Sequence, residues 1–123
     1  MSRDCRTVLV VDDDADLAAM VELLLDEGGF QATRAGGGQE ALRKVALQMP
    51  DVILLDMRMP GMDGWAFARE FRSRYGHRCS LVVMTAGEDA EKNAREIGAE
   101  GYLGKPFEFD ELIQAVQGAT AQT

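Results

Sequence analysis

The chain has 123 residues, of which 46% are hydrophobic, enough for one domain whose core needs no disulfide or structural metal. Its 13 Lys and Arg against 21 Asp and Glu give a net charge of −8, which disfavours direct binding to nucleic acid or to an anionic membrane surface. The two cysteines have no disulfide or zinc spacing, and no segment has the roughly 18 apolar residues that a membrane span needs. We expect one cytoplasmic domain with reduced thiols at Cys5 and Cys79.

Continuous apolar runs predict the central strands. Runs of four apolar residues, rich in Val, Ile and Leu, occupy residues 8–11, 52–55 and 81–84. Such runs are typical of parallel strands that are covered on both faces. Residues 30–34 alternate apolar and polar side chains, which predicts a strand at the edge of the sheet. A short fifth strand is predicted between Gly101 and Gly104.

Apolar stripes with helical spacing separate the strands. The stripes are Leu17, Met20, Val21 and Leu24; Leu42, Val45, Ala46 and Met49; Trp65, Ala68, Phe71 and Tyr75; Ala90, Ala94 and Ile97; and Leu112, Ala115, Val116 and Ala119. Asp14 suits the N-cap of the first helix, residues 28–29 would end it, and Pro50 would end the second. Residues 36–38 predict a flexible turn. Five strands alternating with five helices predict a doubly wound α/β sandwich with a parallel sheet in the order 2-1-3-4-5.

Each continuous run leads into a reactive polar side chain. Residues 12–14 are all Asp, Asp56 follows the second run, and Thr85 follows the third. Parallel strands share one carboxyl edge, so these groups should converge in the crevice where open α/β sheets bind ligands. Clustered carboxylates repel one another unless a cation is bound, and a shallow acidic edge suits Mg²⁺. The alternative is a solvated acidic loop.

A cation reaches the same edge, because Lys105 follows the fifth strand. A carboxylate nucleophile at Asp56, a metal, the hydroxyl of Thr85 and the ammonium of Lys105 are together sufficient to accept a phosphoryl group. Positioning and charge neutralisation would supply the catalysis.

These residues resemble the response regulator receiver domains of two-component signalling, from residue 7 to about 119. The resemblance rests on residues 8–13, on Asp56 with the loop 57–64, on residues 85–86 and on residues 102–109, in the order and spacing of that family. It implies a flavodoxin-like (βα)5 three-layer fold, from which the strand order is partly taken. It also implies that residues 1–123 are a single receiver domain.

The resemblance implies the chemistry of the acceptor. Asp56 would take a phosphoryl group from a phosphohistidine on a sensor histidine kinase or a histidine phosphotransfer protein. Asp13 and Asp56 would ligate Mg²⁺, Asp12 would act on it through water, and Arg58 would contribute its backbone carbonyl. The domain would catalyse its own phosphorylation and slow dephosphorylation without being a conventional enzyme.

The resemblance also implies a switch. Thr85 and Lys105 would hold the phosphoryl oxygens, and Thr85 and Tyr102 would move on phosphorylation and remodel the face made by helix 4, strand 5 and helix 5. The alternative for Tyr102 is a half-buried packing residue. The bond between Lys105 and Pro106 is expected to be cis.

The resemblance implies that two positions near the acceptor tune hydrolysis. Arg58 lies two residues after Asp56, and its guanidinium could screen the phosphoryl group or swing into solvent. Gly87, two residues after Thr85, has no side chain to orient a water molecule. Together they predict slow self-hydrolysis.

Two other functions compete with this interpretation. A hydrolase of the haloacid dehalogenase type also uses an Asp at a strand end, but it needs an acid where this chain has Arg58. An unphosphorylated interaction module would have lost the acceptor, an acidic partner or the lysine, and all are present here. The sequence leaves open the cognate kinase, the downstream protein target, dimerisation on phosphorylation, and whether the chain stands alone or belongs to a larger protein.

Some residues that could suggest other sites are expected to be structural. His77 has no partner at ligand spacing and is predicted to lie on the surface. Met57, Met59 and Met62 could suggest a soft metal site, but we expect them to pack over the edge of the sheet.

Overall fold

The computed structural model describes residues 6–120 of the chain, so the prediction for Cys5 lies outside the described residues. The elements in chain order are β1 (Thr7–Val11), α1 (Ala15–Glu27), β2 (Gln31–Ala35), α2 (Gly38–Leu47), β3 (Val52–Asp56), α3 (Gly64–Tyr75), β4 (Ser80–Ala86), α4 (Gly87–Ile97), β5 (Gly101–Lys105) and α5 (Phe109–Thr120). The predicted alternation of five strands and five helices is confirmed. None of the helices within residues 6–120 is long and apolar enough to cross a membrane.

The sheet has the predicted order, β2-β1-β3-β4-β5, and every pairing is parallel. The alternating segment lies at one edge of the sheet as expected, and β1 and β3 lie inside it. The register sets Asp56 opposite Met84, and Ala86 opposite Lys105. The carboxyl ends of the central strands therefore meet at one edge, and this positions the candidate site.

The core lies on both faces of the sheet because successive strand residues point to opposite sides. In β1, Leu9 and Val11 pack on one side with α2, α3 and α4, while Val8 and Val10 pack on the other with α1 and α5. All five residues of β3 are buried. This two-sided burial explains why the central strands are continuous apolar runs rather than alternating ones.

The predicted helical stripes are partly wrong in phase. In α1 the buried residues are Ala18, Val21 and Leu25, whereas the predicted Met20 is 47% exposed. Apolar residues at so many neighbouring positions of this helix fit several stripes equally well, and packing against the sheet decides among them. Similarly, in the second stripe, Ala46 is exposed and Met49 follows the end of α2.

The start of α2 also corrects the predicted turn. Gly38 is the first residue of the helix rather than part of the turn before it. A Cβ at Gly38 would lie 2.6 Å from Sδ of Met62. The glycine therefore lets the helix approach the loop that follows β3.

An ion-pair network lies at the amino end of the sheet, opposite the carboxyl edge. Arg72 of α3 donates to both carboxylate oxygens of Glu100, at 2.9 and 3.2 Å. Glu100 also accepts the backbone N–H of Leu81 at 2.8 Å and lies 3.1 Å from Nδ1 of His77. The ring of His77 is exposed, which confirms its predicted surface position. The contact between His77 and Glu100 was not predicted from the sequence.

The described cysteine is a packing residue. Cys79 is a free thiol with no exposed surface. Burial raises the pKa of this thiol to about 12, so it stays protonated at neutral pH and is a poor nucleophile.

Close contact between β5 and α4 depends on two glycines. A Cβ on Gly104 would lie 2.5 Å from the Cα of Gly87, which is backbone and cannot rotate away. The substitution Gly104→Ala should therefore push α4 away from β5 and lower the free energy of unfolding by about 1–3 kcal/mol, measured by urea denaturation. Gly101→Ala on the same strand is the control, since its Cβ would meet Val82 at 3.5 Å, an ordinary contact. Equal stability of the two variants would contradict this packing.

Candidate functional site

Three carboxylates meet at the carboxyl end of the sheet. Asp12 and Asp13 follow β1 directly, and Asp56 is the last residue of β3. Each offers an oxygen within 4.8 Å of the others. Asp12 is 2% exposed and Asp56 is 5% exposed, whereas Asp13 faces solvent. The structure thus brings together the acidic residues that the sequence placed at this edge.

Backbone groups and one lysine hold Asp12 in place. Its Oδ1 accepts the N–H of Asp14 at 2.9 Å, and its own N–H donates to the carbonyl of Ala35 at 3.1 Å. Nζ of Lys105 donates to Oδ2 of Asp12 at 3.3 Å and lies 3.6 Å from Oδ1 of Asp56. One ammonium therefore bridges two buried carboxylates. The peptide bond from Lys105 to Pro106 is cis, as predicted.

The electrostatic balance of the site is negative. The pKa of Asp56 is raised from 3.8 to about 6, chiefly because the carboxylate is buried and secondly because Asp12 carries a negative charge beside it. The charge of Lys105 and a backbone N–H from Arg58 act in the opposite direction but do not cancel the rise. The site therefore has a deficit of positive charge.

This donor set fits a divalent cation with a preference for oxygen. Asp12, Asp13 and Asp56 offer carboxylate oxygens at mutual distances that suit a shared ion. A bound cation would offset the burial and the repulsion by Asp12 that together raise the pKa of Asp56. The same three residues form an acidic cluster that the ammonium of Lys105 only partly neutralises.

The other predicted residues surround this cluster at different depths. Thr85 is buried in β4, one residue before the strand ends, and is paired with Gly104. Tyr102 lies on β5 with 49% of its surface exposed, so its side chain is not turned inward in this conformation. Gly87 is the first residue of α4.

The backbone and the side chain of Arg58 contact different residues. Its N–H donates to Oδ1 of Asp56 at 3.4 Å. Its side chain is 70% exposed, and Nη2 of the guanidinium lies 3.9 Å from Oδ2 of Asp89 on α4. Of the two orientations considered from the sequence, this conformation has the exposed one.

Gly64 packs against the acceptor residue and was not predicted as part of the site. A Cβ on Gly64 would lie 2.7 Å from the Cα of Met57 and 3.1 Å from the carbonyl oxygen of Asp56. Asp63 caps α3 by accepting the N–H of Ala66 at 2.9 Å. The sequence places residues 63–64 in the loop after Asp56, although Asp at an N-cap is also a helix start signal.

The methionines of the same loop pack as expected. Met57 is fully buried, Met59 is nearly so, and Met62 packs against the same core cluster. The expected packing of these methionines is confirmed.

Comparison with known proteins identifies the family. The family model of the response regulator receiver domain matches residues 8–117. The chain belongs to this family. Phosphorylation on an aspartate is the general function of receiver domains. The resemblance inferred from the motifs and the flavodoxin-like fold are both confirmed.

Relatives of this receiver domain include longer regulators. It is 40% identical over 114 residues to the DNA-binding transcriptional regulator NtrC of Escherichia coli, covering 91% of this chain and 24% of NtrC. It is 39% identical over 112 residues to the DNA-binding response regulator MtrA of Mycobacterium leprae, covering 89% of this chain and 49% of MtrA. The chain thus spans a quarter to a half of these curated relatives.

Solved structures share the fold over nearly the whole receiver domain. A putative response regulator from Chloroflexus aurantiacus has a TM-score of 0.87 at 35% identity, covering 94% of this chain and 98% of that one. The chemotaxis protein CheY4 of Vibrio cholerae has a TM-score of 0.82 at 31% identity, covering 92% and 97%.

The raised pKa of Asp56 predicts how stability depends on pH without a divalent cation. Ionising the folded-state carboxyl is unfavourable, so its contribution to stability is greatest below pH 3.8 and is lost as the pH rises through about 6. Asp56→Asn should therefore stabilise the cation-free domain by about 1–3 kcal/mol at pH 7.5, and this gain should shrink toward pH 4.5. Denaturation in EDTA at both pH values measures it.

The control for that measurement is Asp16→Asn, which removes an exposed acid from the first turn of α1. Asp16 favours the helix through the macrodipole, so its loss should lower stability slightly at pH 7.5. A similar gain in both variants would mean that general charge repulsion, and not burial of Asp56, is responsible.

Proposed function

We propose that Asp56 is the phosphoacceptor of this receiver domain and that its donor is a phosphohistidine on a sensor histidine kinase or a histidine phosphotransfer protein. The observation that carries the proposal is the convergence of a buried Asp56 with Asp12, Asp13 and Lys105 at the carboxyl end of the sheet. In the transfer, an Oδ atom of Asp56 attacks phosphorus, the P–N bond to the donor histidine breaks, and the imidazole leaves with the electron pair.

Mg²⁺ is the proposed cofactor of this transfer. Asp13, Asp56 and the backbone carbonyl of Arg58 would ligate it, and Asp12 would hold it through water. When bound, the ion supplies positive charge that lets the carboxylate and the incoming phosphoryl group approach each other. The support for this assignment is the shared carboxylate cluster and its uncompensated charge.

Two further side chains are proposed to hold the phosphoryl oxygens. Lys105 already lies 3.6 Å from Asp56, so its ammonium can neutralise part of the charge that the phosphoryl group brings. Thr85 is buried on the neighbouring strand and carries a hydroxyl donor. Both act by position and charge, so the domain contributes to its own phosphorylation without a separate substrate site.

Phosphorylation is proposed to change a protein-binding face. Tyr102 and Thr85 lie on paired strands, β5 and β4, next to α4. Movement of Thr85 toward the phosphoryl group would make room for the half-exposed Tyr102 to turn inward, altering the face formed by α4, β5 and α5 for a downstream protein target. The alternative is that the ring of Tyr102 is a packing residue only. Loss of signalling in Tyr102→Ala with normal phosphorylation of Asp56 would favour the switch role over this alternative.

Residues 1–123 are proposed to act as one receiver domain with its core at about 7–119. The two core clusters together extend from Val8 to Ala119, which supports this assignment. The proposed location is the cytoplasm, which contains the ATP that phosphorylates a histidine kinase.

Incubation with Mg²⁺ and acetyl phosphate, followed by intact mass spectrometry, tests the acceptor. Wild type should gain one phosphoryl group, whereas Asp56→Asn should gain none and wild type without Mg²⁺ should gain little. Asp16→Asn, which removes an exposed acid on α1, should be phosphorylated like wild type.

Two results would contradict this function. A folded wild type that gains no phosphoryl group would favour an unphosphorylated interaction module. Continuous release of phosphate from acetyl phosphate with no retained adduct would favour a hydrolase instead.

A further inference from the structure

An ion pair joins the loop after the acceptor to the start of α4. Arg58 follows Asp56 by two residues, and its guanidinium lies 3.9 Å from the carboxylate of Asp89. Asp89 belongs to the first turn of α4. The pair therefore connects the loop after β3 with the start of α4, and both side chains are far more exposed than the buried acceptor.

The approach to the acceptor from α4, here called the entrance, has no side chain at the first residue of the helix. Gly87 begins α4 without a side chain, and a Cβ there would meet no atom nearer than 3.8 Å. Glu88 is the other acid in the first turn, but among residues 6–120 the carboxylate paired with Arg58 is that of Asp89. The position of the guanidinium thus depends on Asp89.

The ion pair is weak enough for the guanidinium of Arg58 to change partners. The side chains of Arg58 and Asp89 are 70% and 40% exposed and make one contact, and exposed ion pairs of this kind contribute little to stability. A phosphoryl group on Asp56 would be a stronger partner, because guanidinium forms two parallel hydrogen bonds with phosphate oxygens. Asp89 and the phosphoryl group would then compete for one guanidinium.

We propose that Asp89 is a positioning residue that holds Arg58 away from the phosphoryl group on Asp56 and so keeps the entrance open to water. The inference rests on the proposed function of Asp56. In hydrolysis, water attacks phosphorus on the side opposite the Asp56 oxygen, the P–O bond to Asp56 breaks, and inorganic phosphate leaves with the proton of the water. That approach comes from the solvent side, where a guanidinium released from Asp89 would cover the phosphoryl group.

The test measures the lifetime of the phosphoryl group in Asp89→Asn. The protein is phosphorylated with acetyl phosphate and Mg²⁺, the donor is removed, and the remaining adduct is followed by intact mass. We expect the half-life to lengthen about 2–5-fold, the range that corresponds to losing one exposed ion pair. The matched control is Glu88→Gln, which removes one acid from the same helical turn and changes the macrodipole equally. Its half-life should match that of wild type.

A double-mutant cycle shows whether Asp89 acts through Arg58. In the Arg58→Ala background no guanidinium remains to be released, so Asp89→Asn should have no further effect on the half-life. Asp89→Glu keeps the charge and should restore a half-life close to that of wild type. A merely structural role of Asp89 in α4 would not depend on Arg58 in this way.

Three results would overturn the proposal. They are an Asp89→Asn half-life no longer than that of Glu88→Gln, a longer half-life that persists without Arg58, and faster hydrolysis in Asp89→Asn. Failure of the proposed function is distinguishable, since wild type would then carry no adduct whose loss could be measured.

Discussion

The burial of two neighbouring carboxylates at the end of the sheet is the constraint on which the site depends. Asp12 and Asp56 are both buried and lie side by side because β1 and β3 are paired in parallel. Lys105 bridges them but leaves the pKa of Asp56 raised. The fold therefore maintains an acidic cluster that is unfavourable alone and that binding of a cation would relieve. The same deficit of charge links cation binding to the proposed reactivity of the acceptor.

The surrounding packing fixes this cluster by bringing backbone segments unusually close. Gly64 lets the start of α3 contact the acceptor residue itself, and Gly104 lets β5 contact the start of α4. A side chain at either position would separate elements that carry functional groups. These two glycines thus matter to the chemistry because they set the distances between elements that carry functional groups, while the two apolar clusters pack against the faces of the sheet beneath them.

Helix α4 contacts both the loop after the acceptor and helix α3. Its first turn provides Asp89, which pairs with the guanidinium two residues after the acceptor. Its last turn is connected to α3, because the Glu96 carboxylate accepts a hydrogen bond from the indole of Trp65 at 2.9 Å. The loop after the acceptor and α3 therefore both contact α4.

The sheet and the acidic cluster could be predicted from the sequence because their signals are strong and local. Continuous apolar runs identify buried parallel strands, and in such a sheet the residues that follow them must share an edge. The phase of α1 could not be predicted, since neighbouring apolar residues fit several stripes and tertiary packing selects one. Contacts such as that of Arg58 with Asp89, or of Gly64 with Met57, depend on how loops fold over the sheet, and no spacing along the chain encodes them.

The most direct test of the account is the pKa of the Asp56 carboxyl, measured by ¹³C NMR titration with and without Mg²⁺. Loss of the resonance in Asp56→Asn would assign it. The account predicts a midpoint of about 6 in EDTA and a fall to the ordinary value of 3.8 or below when Mg²⁺ is saturating. An ordinary midpoint in EDTA, or a raised midpoint that Mg²⁺ does not move, would contradict the claim that uncompensated charge at this edge creates the site.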